Sequence, residues 1–364
     1  MTTITLDDLR RFAVTRTLFP PTTLKRALHK LGFVQADPIR APARAQDLIL
    51  RHRVKDYHAG DLERRYAQLD VAEDYFVPYG FITSAIQTLM HPRSEGGRPW
   101  SAARRKKAEL LLAFVRERRE AHPREVDAHF SHGTVRNYWG GSSNATTHLL
   151  DSMHYYGLLR VSRREKGIRV YAAHEHDAVP LNEAARSARI DALADVLIRL
   201  YAPLPAASLS VFVRALRFAV PQWHADLGSA LQRARERLSH AHIDGVDWYW
   251  PAGEKITRHE PEDKVRLLAP FDPVVRDRAR FELLWGWPYR FEAYTPPPKR
   301  KLGYYALPLL WRDRVIGWGN LSVKFGELNS SFGYVVARAP QDPAFARELD
   351  AELAHMRAFL RLKR

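Results

Sequence analysis

The 364-residue chain has no cysteine. Disulfide staples, thiolate metal sites and a cysteine nucleophile are therefore excluded, and the composition suits a reducing cytoplasm. Long apolar runs are missing too. The most apolar stretch, residues 192–220, is interrupted by Arg199, Arg214 and Arg217 before the roughly 18 residues of a membrane span can accumulate. The segment Thr5-Leu6-Asp7-Asp8-Leu9-Arg10-Arg11 alternates charge with apolar residues and has no apolar core of signal-peptide type, so a cytoplasmic protein without membrane association is expected. Phosphate-loop (GxxxxGK[ST]), dinucleotide (GxGxxG after a strand) and nucleophile-elbow (GxSxG) motifs are absent. His174-Glu175-His176-Asp177 has the residue types of a metal cluster, but it falls where a polar loop is expected, with no HExxH or paired CxxC. Neither a metal nor any other cofactor is expected.

What the chain does have is positive charge. Lys and Arg number 57 against 41 Asp and Glu, a formal net charge of +16, and the excess recurs along the whole length. A polyanion such as nucleic acid is the natural partner. A proteome that simply favours arginine gives the same excess without one, so charge alone leaves both readings open.

At this length, with 46% hydrophobic residues, two to four compact units are expected. Periodicity predicts amphipathic helices over 5–17, 22–31 (from a Thr22-Thr23 cap) and 39–54 (Leu48, Ile49 and Val54 inward). Residues 91–101 read as a linker. A second unit follows: a helix over 101–120, a short helix opened by Pro123, a turn over 133–143, and a helix from Asn144 to Tyr156 ended by Gly157. Two strands, 158–162 and 168–171, then flank the basic turn Arg163-Arg164-Glu165-Lys166-Gly167, which completes a winged-helix pattern. The pattern recurs more loosely, with helices near 183–201, 208–219 and 222–238 and strand-like residues 240–250. Residues 265–336 shift to alternation, and 342–364 form a last helix with Phe345, Leu349, Leu353, Met356 and Leu360 on one face. The expected class is α+β, with tandem winged-helix domains, a small β-barrel-like domain and a C-terminal helix. The boundaries are 1–92, 101–178, 182–260 and 265–364.

Two stretches have residues suited to chemistry. In Gln35-Ala36-Asp37-Pro38, an amide and a carboxylate two apart in extended chain point to the same side, where they can position water and stabilise positive charge on a sugar. Asp37 before Pro38 also reads as a helix N-cap, and the two readings do not exclude each other. Pro296-Pro297-Pro298-Lys299-Arg300-Lys301 lies between two strand candidates, 289–294 and 303–308. It reads as a stiff cationic hairpin tip for a groove or phosphates, or equally as a solvated turn. Trp285, Trp287, Tyr304 and Tyr305 read as core fillers before stacking platforms.

Read in order, Val34-Gln35-Ala36-Asp37-Pro38-Ile39, Arg44-Ala45, Leu48-Ile49-Leu50 with Arg53-Val54, Leu267-Leu268-Ala269-Pro270-Phe271-Asp272-Pro273 with Asp277-Arg278, Tyr289-Arg290-Phe291-Glu292-Ala293-Tyr294, Pro298-Lys299-Arg300 and Gly303-Tyr304-Tyr305 resemble the AlkZ/YcaQ family of winged-helix DNA glycosylases that unhook interstrand crosslinks. Trp139-Gly140 and Gly157-Leu158 fit it as well. The resemblance implies Gln35 and Asp37 as the catalytic pair and a monofunctional glycosylase cleaving the N-glycosidic bond of N7-alkylated guanine, crosslinks included, in DNA repair. The Asp form of the motif looks like the branch with broader tolerance for simple N7-alkylguanine. Acting as a monomer, the protein would hold duplex DNA through Arg44, Arg51, Arg53, Arg163, Arg164, Lys166, Lys299, Arg300 and Lys301. The chain departs from the family pattern at Glu73–Gly80, where a histidine is expected, and at Gln46-Asp47, which replaces a His-His pair. The alternative from another class is a non-catalytic winged-helix DNA-binding protein, a regulator or damage-recognition factor.

Overall fold

Side chains that satisfy free backbone N–H groups set where the helices begin. Thr5 opens Leu6–Thr17 with a reciprocal capping box: its hydroxyl accepts from Asp8 N, and the Asp8 carboxylate accepts from Thr5 N at 2.9 Å. Thr23 caps Leu24–Leu31, Ser101 caps Ala102–Arg118, and His122 caps Pro123–Phe130 with Pro at the first helical position. Asn144 caps Ala145–Tyr155, and Asp342 caps Pro343–Phe359. The computed structural model describes residues 4–94, 99–131, 133–136, 142–176, 181–256 and 260–362; Trp139-Gly140 and Asp177 lie outside the described residues.

The chain is a mixture of helices and small antiparallel sheets, divided into two compact units. One comprises Met1–Asp61, Ala194–Val213 and Leu231–Arg364, and the other Leu62–Leu193 and Arg214–Ala230. In the first unit, Val265–Leu267, Leu307–Trp311, Arg314–Lys324 and Glu327–Tyr334 form a four-stranded antiparallel sheet in that order. Leu204–Pro205, Val246–Pro251 and Leu238–Ile243 form a smaller sheet, its hairpin turning at Asp244-Gly245 with both residues at positive φ. The Leu6–Thr17 helix buries Leu9, Phe12 and Ala13 with Trp248, Trp250 and Leu284, and Val14 with Leu268, Val275 and Phe281.

Two expected elements are corrected here. The helix predicted over 39–54 is only Ala45–Leu50, because Pro42 disfavours a helical Ala41 and Asp37 turns its carboxylate onto Ile39 N at 2.9 Å instead of capping a helix. The buried side of Pro343–Phe359 is Phe345, Glu352, Met356 and Phe359, with Leu349, Leu353 and Leu360 only half-buried. The stripe is rotated because Glu352 turns inward to pair with Arg51.

In the second unit, Leu159–Glu165 and Ile168–Ala173 pair as a hairpin whose turn is Lys166-Gly167, with φ 48° and 87°. Arg163 and Arg164 therefore stand on a strand, not on the tip. Val71–Tyr75 pairs with Tyr79–Thr83. The first of these strands carries Asp74, fully buried, whose carboxylate receives Arg93 Nη1 at 2.9 Å, Gln87 Nε2 at 3.1 Å and the His91 ring at 2.6 Å. Burial opposes its charge, but Arg93 and His91 outweigh that and hold the carboxyl well below the usual range. Gly157, at φ 81°, ends Ala145–Tyr155 and leaves room for rings, since a Cβ there would stand 2.5 Å from His91 Nδ1.

His91, His174 and His176 pack together, with ring centroids 3.9 Å apart for the last two and 5.0 Å for His91 and His176. No metal-binding group occurs among the described residues. Burial, with His176 and His91 adding repulsion, depresses His174 from 6.5 to about 3.

In the first unit Arg53 and Asp272 form a fully buried ion pair, Nη1 to Oδ2 at 2.8 Å. Asp272→Ala strands the guanidinium and should lower unfolding stability by about 3–5 kcal/mol; an unchanged urea midpoint would show that the pair does not support the first unit. In the second unit, unfolded His174 takes up a proton below about pH 6.5 while the folded residue resists until about pH 3, so stability falls as pH drops through that window. His174→Gln should flatten this part of the stability curve, and a slope equal to wild type would refute the assignment.

Candidate active site and nucleic-acid interface

Gln35 ends the short strand Phe33–Gln35, and Asp37 follows in irregular chain held by its neighbours. Gln46, buried on the Ala45–Leu50 helix, accepts from Asp37 N through its Oε1 at 3.3 Å. Asp47 accepts from Tyr57 Oη at 2.7 Å and Gly60 N at 3.0 Å. Where the sequence departs from a His-His pair, an amide thus braces the backbone of Asp37 and a carboxylate ties down the following loop.

The helix itself is fixed by Arg53. Its guanidinium is fully buried, bonding Asp272 at 2.8 and 3.0 Å and the carbonyls of Thr17 and Ile49 at 2.7 Å each. Asp272 in turn shapes a tight turn: its carboxylate accepts from Val274 N at 3.0 Å and its carbonyl from Arg276 N at 2.8 Å. The turn delivers Arg276, whose Nε donates to Gln35 Oε1 at 2.8 Å.

Asp37 itself has no ion pair among the described residues. Its Oδ1 accepts from Ile39 N, and Oδ2 makes no hydrogen bond to a described residue. Burial raises its pKa above the usual 3.8, only partly opposed by the Ile39 bond. Tyr305 lies beside it: burial first, then the Asp37 charge, pushes its phenol upward, and its buried hydroxyl has no hydrogen-bond partner among the described residues. Tyr294 is raised by the same two causes. From Arg40 and Tyr305 an open groove of about 670 Å³ extends past Tyr304, Asn320, Asn329 and Ser331.

The hairpin predicted around 289–308 is corrected. Residues 290–306 form a loop with one short 3-10 turn, Pro297–Lys299, and the strand begins only at Leu307. The buried Glu292 carboxylate organises the loop, its Oε2 accepting from Lys301, Leu302 and Gly303 N at 2.9, 2.7 and 3.2 Å. Although burial opposes the charge, these three donors lower its pKa. Lys299 and Lys301 project into solvent, while Arg300 lies over the Tyr304 ring at 5.0 Å and donates to Thr295 O. Trp285 and Trp287 pack on the core; Tyr304 is exposed.

Among the predicted phosphate contacts, Arg51 and Arg53 are corrected. Arg51 is 1% exposed and bonded to Glu352 and Leu267 O, so neither guanidinium can reach a backbone phosphate. Arg164 is mostly spent on Glu73, at 2.7 and 2.6 Å. Arg163 is exposed but bridges Glu120 and Glu165, and Lys166 is exposed at the turn. Arg44 is half-buried ahead of the Ala45–Leu50 helix. Gln35, Asp37, Arg276, Tyr305 and the 290–306 loop thus share one unit. The sequence reading does not include Arg276, Gln46 or Tyr305 as members; Arg276 falls between the motif residues Leu267–Pro273 and Asp277-Arg278.

The structure is similar to that of Streptomyces sahachiroi DNA glycosylase AlkZ, with a TM-score of 0.66 over 100% of this chain and 98% of that one, at 14% identity. At that identity the likeness speaks for the fold. The family model for DNA glycosylase AlkZ-like proteins matches residues 28–359, which include the Gln35/Asp37 segment, the Asp272 turn and the Glu292 loop. The chain belongs to the AlkZ-like DNA glycosylase family.

Proposed function

We propose that this DNA glycosylase hydrolyses the N-glycosidic bond of N7-alkylated guanine, interstrand crosslinks included, and leaves an abasic site without cutting the strand. The observation that carries the reading is a half-buried carboxylate, Asp37, with no ion pair among the described residues and two positions after Gln35, in a chain of net charge +16. N7-alkylation makes the guanine cationic, so the bonding pair of the C1′–N9 bond leaves with the base and neutralises it. Positive charge then develops on the deoxyribose. Asp37 stabilises that charge and accepts a proton from the water whose oxygen bonds C1′, with Gln35 holding the water. Because the base departs neutral, no strong general acid is required.

We read the Ala102–Arg118, Pro123–Phe130 and Ala145–Tyr155 helices with their hairpin as a winged helix, one of three such units over 1–92, 101–178 and 182–260. The sheet within 265–364 is read as a barrel-like module. Exposed Lys166, Lys299 and Lys301, with Arg44, Arg163 and Arg300, supply phosphate contacts, and the protein acts as a monomer in the cytoplasm.

With duplexes carrying N7-methylguanine or a nitrogen-mustard crosslink, alkali and a denaturing gel report abasic sites. Asp37→Asn should slow release by about 10²- to 10⁴-fold; release at the wild-type rate would remove Asp37 from the chemistry. Since the reactive form is the carboxylate and its pKa is raised, the rate should fall as pH drops, with the acid limb centred above 3.8. An acid limb that persists in Asp37→Asn would assign it to another group. For binding, Lys299→Ala with Lys301→Ala should reduce the slope of log K against log salt by about 0.9 per lost phosphate contact. An unchanged slope would exclude the loop from the interface.

A further inference from the structure

Arginine has five N–H donors and no acceptor. Whatever atom of Gln35 faces Arg276 Nε at 2.8 Å must therefore be the carbonyl oxygen, so the amide orientation is dictated by chemistry and not left to choice. The Gln35 NH2 group is turned away, and it makes no hydrogen bond to a described residue. Gln35 is 9% exposed, and its amide leaves one strand position before the Asp37 segment. We propose that Arg276 is a positioning residue that holds Gln35 as a hydrogen-bond donor toward the water attacking C1′.

This rests on the glycosylase reading and gives it a geometry. One lone pair of the water accepts from Gln35 Nε2, one of its O–H bonds points to Asp37 Oδ2, and the remaining lone pair is left for C1′. A freely rotating amide would present its oxygen half the time and compete with Asp37 for the same proton. Arg276 can impose the choice because it is itself fixed, its backbone N–H bound to Asp272 O at 2.8 Å while the Asp272 carboxylate is held by Arg53. Its charge does not pair with Asp37, whose pKa is raised by burial and only partly lowered by the Ile39 N–H.

The test is a kinetic double-mutant cycle on the N7-methylguanine duplex, read in single and multiple turnover. Arg276→Ala should lower kcat by about 10- to 100-fold with KM unchanged, the loss expected for one charge-assisted hydrogen bond that acts only through orientation. Arg276→Lys, which keeps a donor, should recover part of it. In a Gln35→Ala background, Arg276→Ala should cost nothing further. Gln35→Glu, which keeps the shape and can pair with Arg276 but donates nothing, should be as slow as Gln35→Ala. ¹⁵N relaxation of the Gln35 side-chain amide should show it ordered in the wild type and loosened in Arg276→Ala. Additive losses, or a Gln35→Glu variant as fast as wild type, would overturn the donor assignment while leaving the glycosylase reading intact. A wild-type protein that releases no base would end both.

Discussion

The bidentate ion pair between Arg53 and Asp272 is the constraint on which the site depends. Two charges taken fully out of water must satisfy each other, and their remaining donors and acceptors must also be met. Arg53 does so by binding the carbonyls of Thr17 and Ile49, which ties the first helix of the chain to the Ala45–Leu50 helix. Asp272 does so by closing a turn over Val274 and Arg276. The same pair thus fixes both walls of the site: the helix whose Gln46 braces Asp37, and the turn whose Arg276 bonds Gln35. Interactions of this kind specify a geometry more than they add stability, since a buried pair roughly breaks even against apolar residues of the same volume.

Local signals were legible in the sequence where local chemistry decides the outcome. Thr23, Ser101, Pro123, Asn144 and Gly157 mark helix ends because caps and positive-φ glycines act within a few residues. The Gln35/Asp37 pair was legible as a motif, and the family resemblance agrees with the family model over residues 28–359. Arg51 and Arg53 were misread because their partners, Glu352 and Asp272, lie 301 and 219 positions away, and charge composition carries no trace of pairing at that range. The 290–306 loop was misread as a hairpin for a related reason. Its residues alternate like strands, but one buried carboxylate, Glu292, gathers three successive backbone N–H groups that a ladder would otherwise have used.

The stretch that lacks the expected histidine illustrates the same point from the other side. Glu73 and Asp74 are both sealed in the second unit, each held by an arginine, Arg164 and Arg93, at hydrogen-bonding distance. Tyr79 adds a further donor to Glu73 at 3.0 Å. These acids are framework here, which a local comparison of motifs cannot distinguish from a catalytic substitution.

A chain with 57 basic residues has no shortage of cations to place beside Asp37, so the lack of an ion pair there among the described residues needs a reason. A guanidinium about 4 Å from the carboxylate would secure its ionisation, with an attraction of about 4 kcal/mol at an effective dielectric of 20. In the proposed reaction it would also cancel the field that Asp37 presents to a cationic sugar, and by like-charge repulsion it would oppose the transition state. Burial without a partner makes the opposite trade: the pKa rises, and the charge that remains is uncompensated. The fold commits two buried arginines elsewhere, Arg53 to Asp272 and Arg51 to Glu352, and uses Arg276 on a neutral amide. In the proposed reaction, what matters is therefore less the presence of a carboxylate than the commitment of Arg51, Arg53 and Arg276 to other partners, which leaves the negative charge of Asp37 for the substrate.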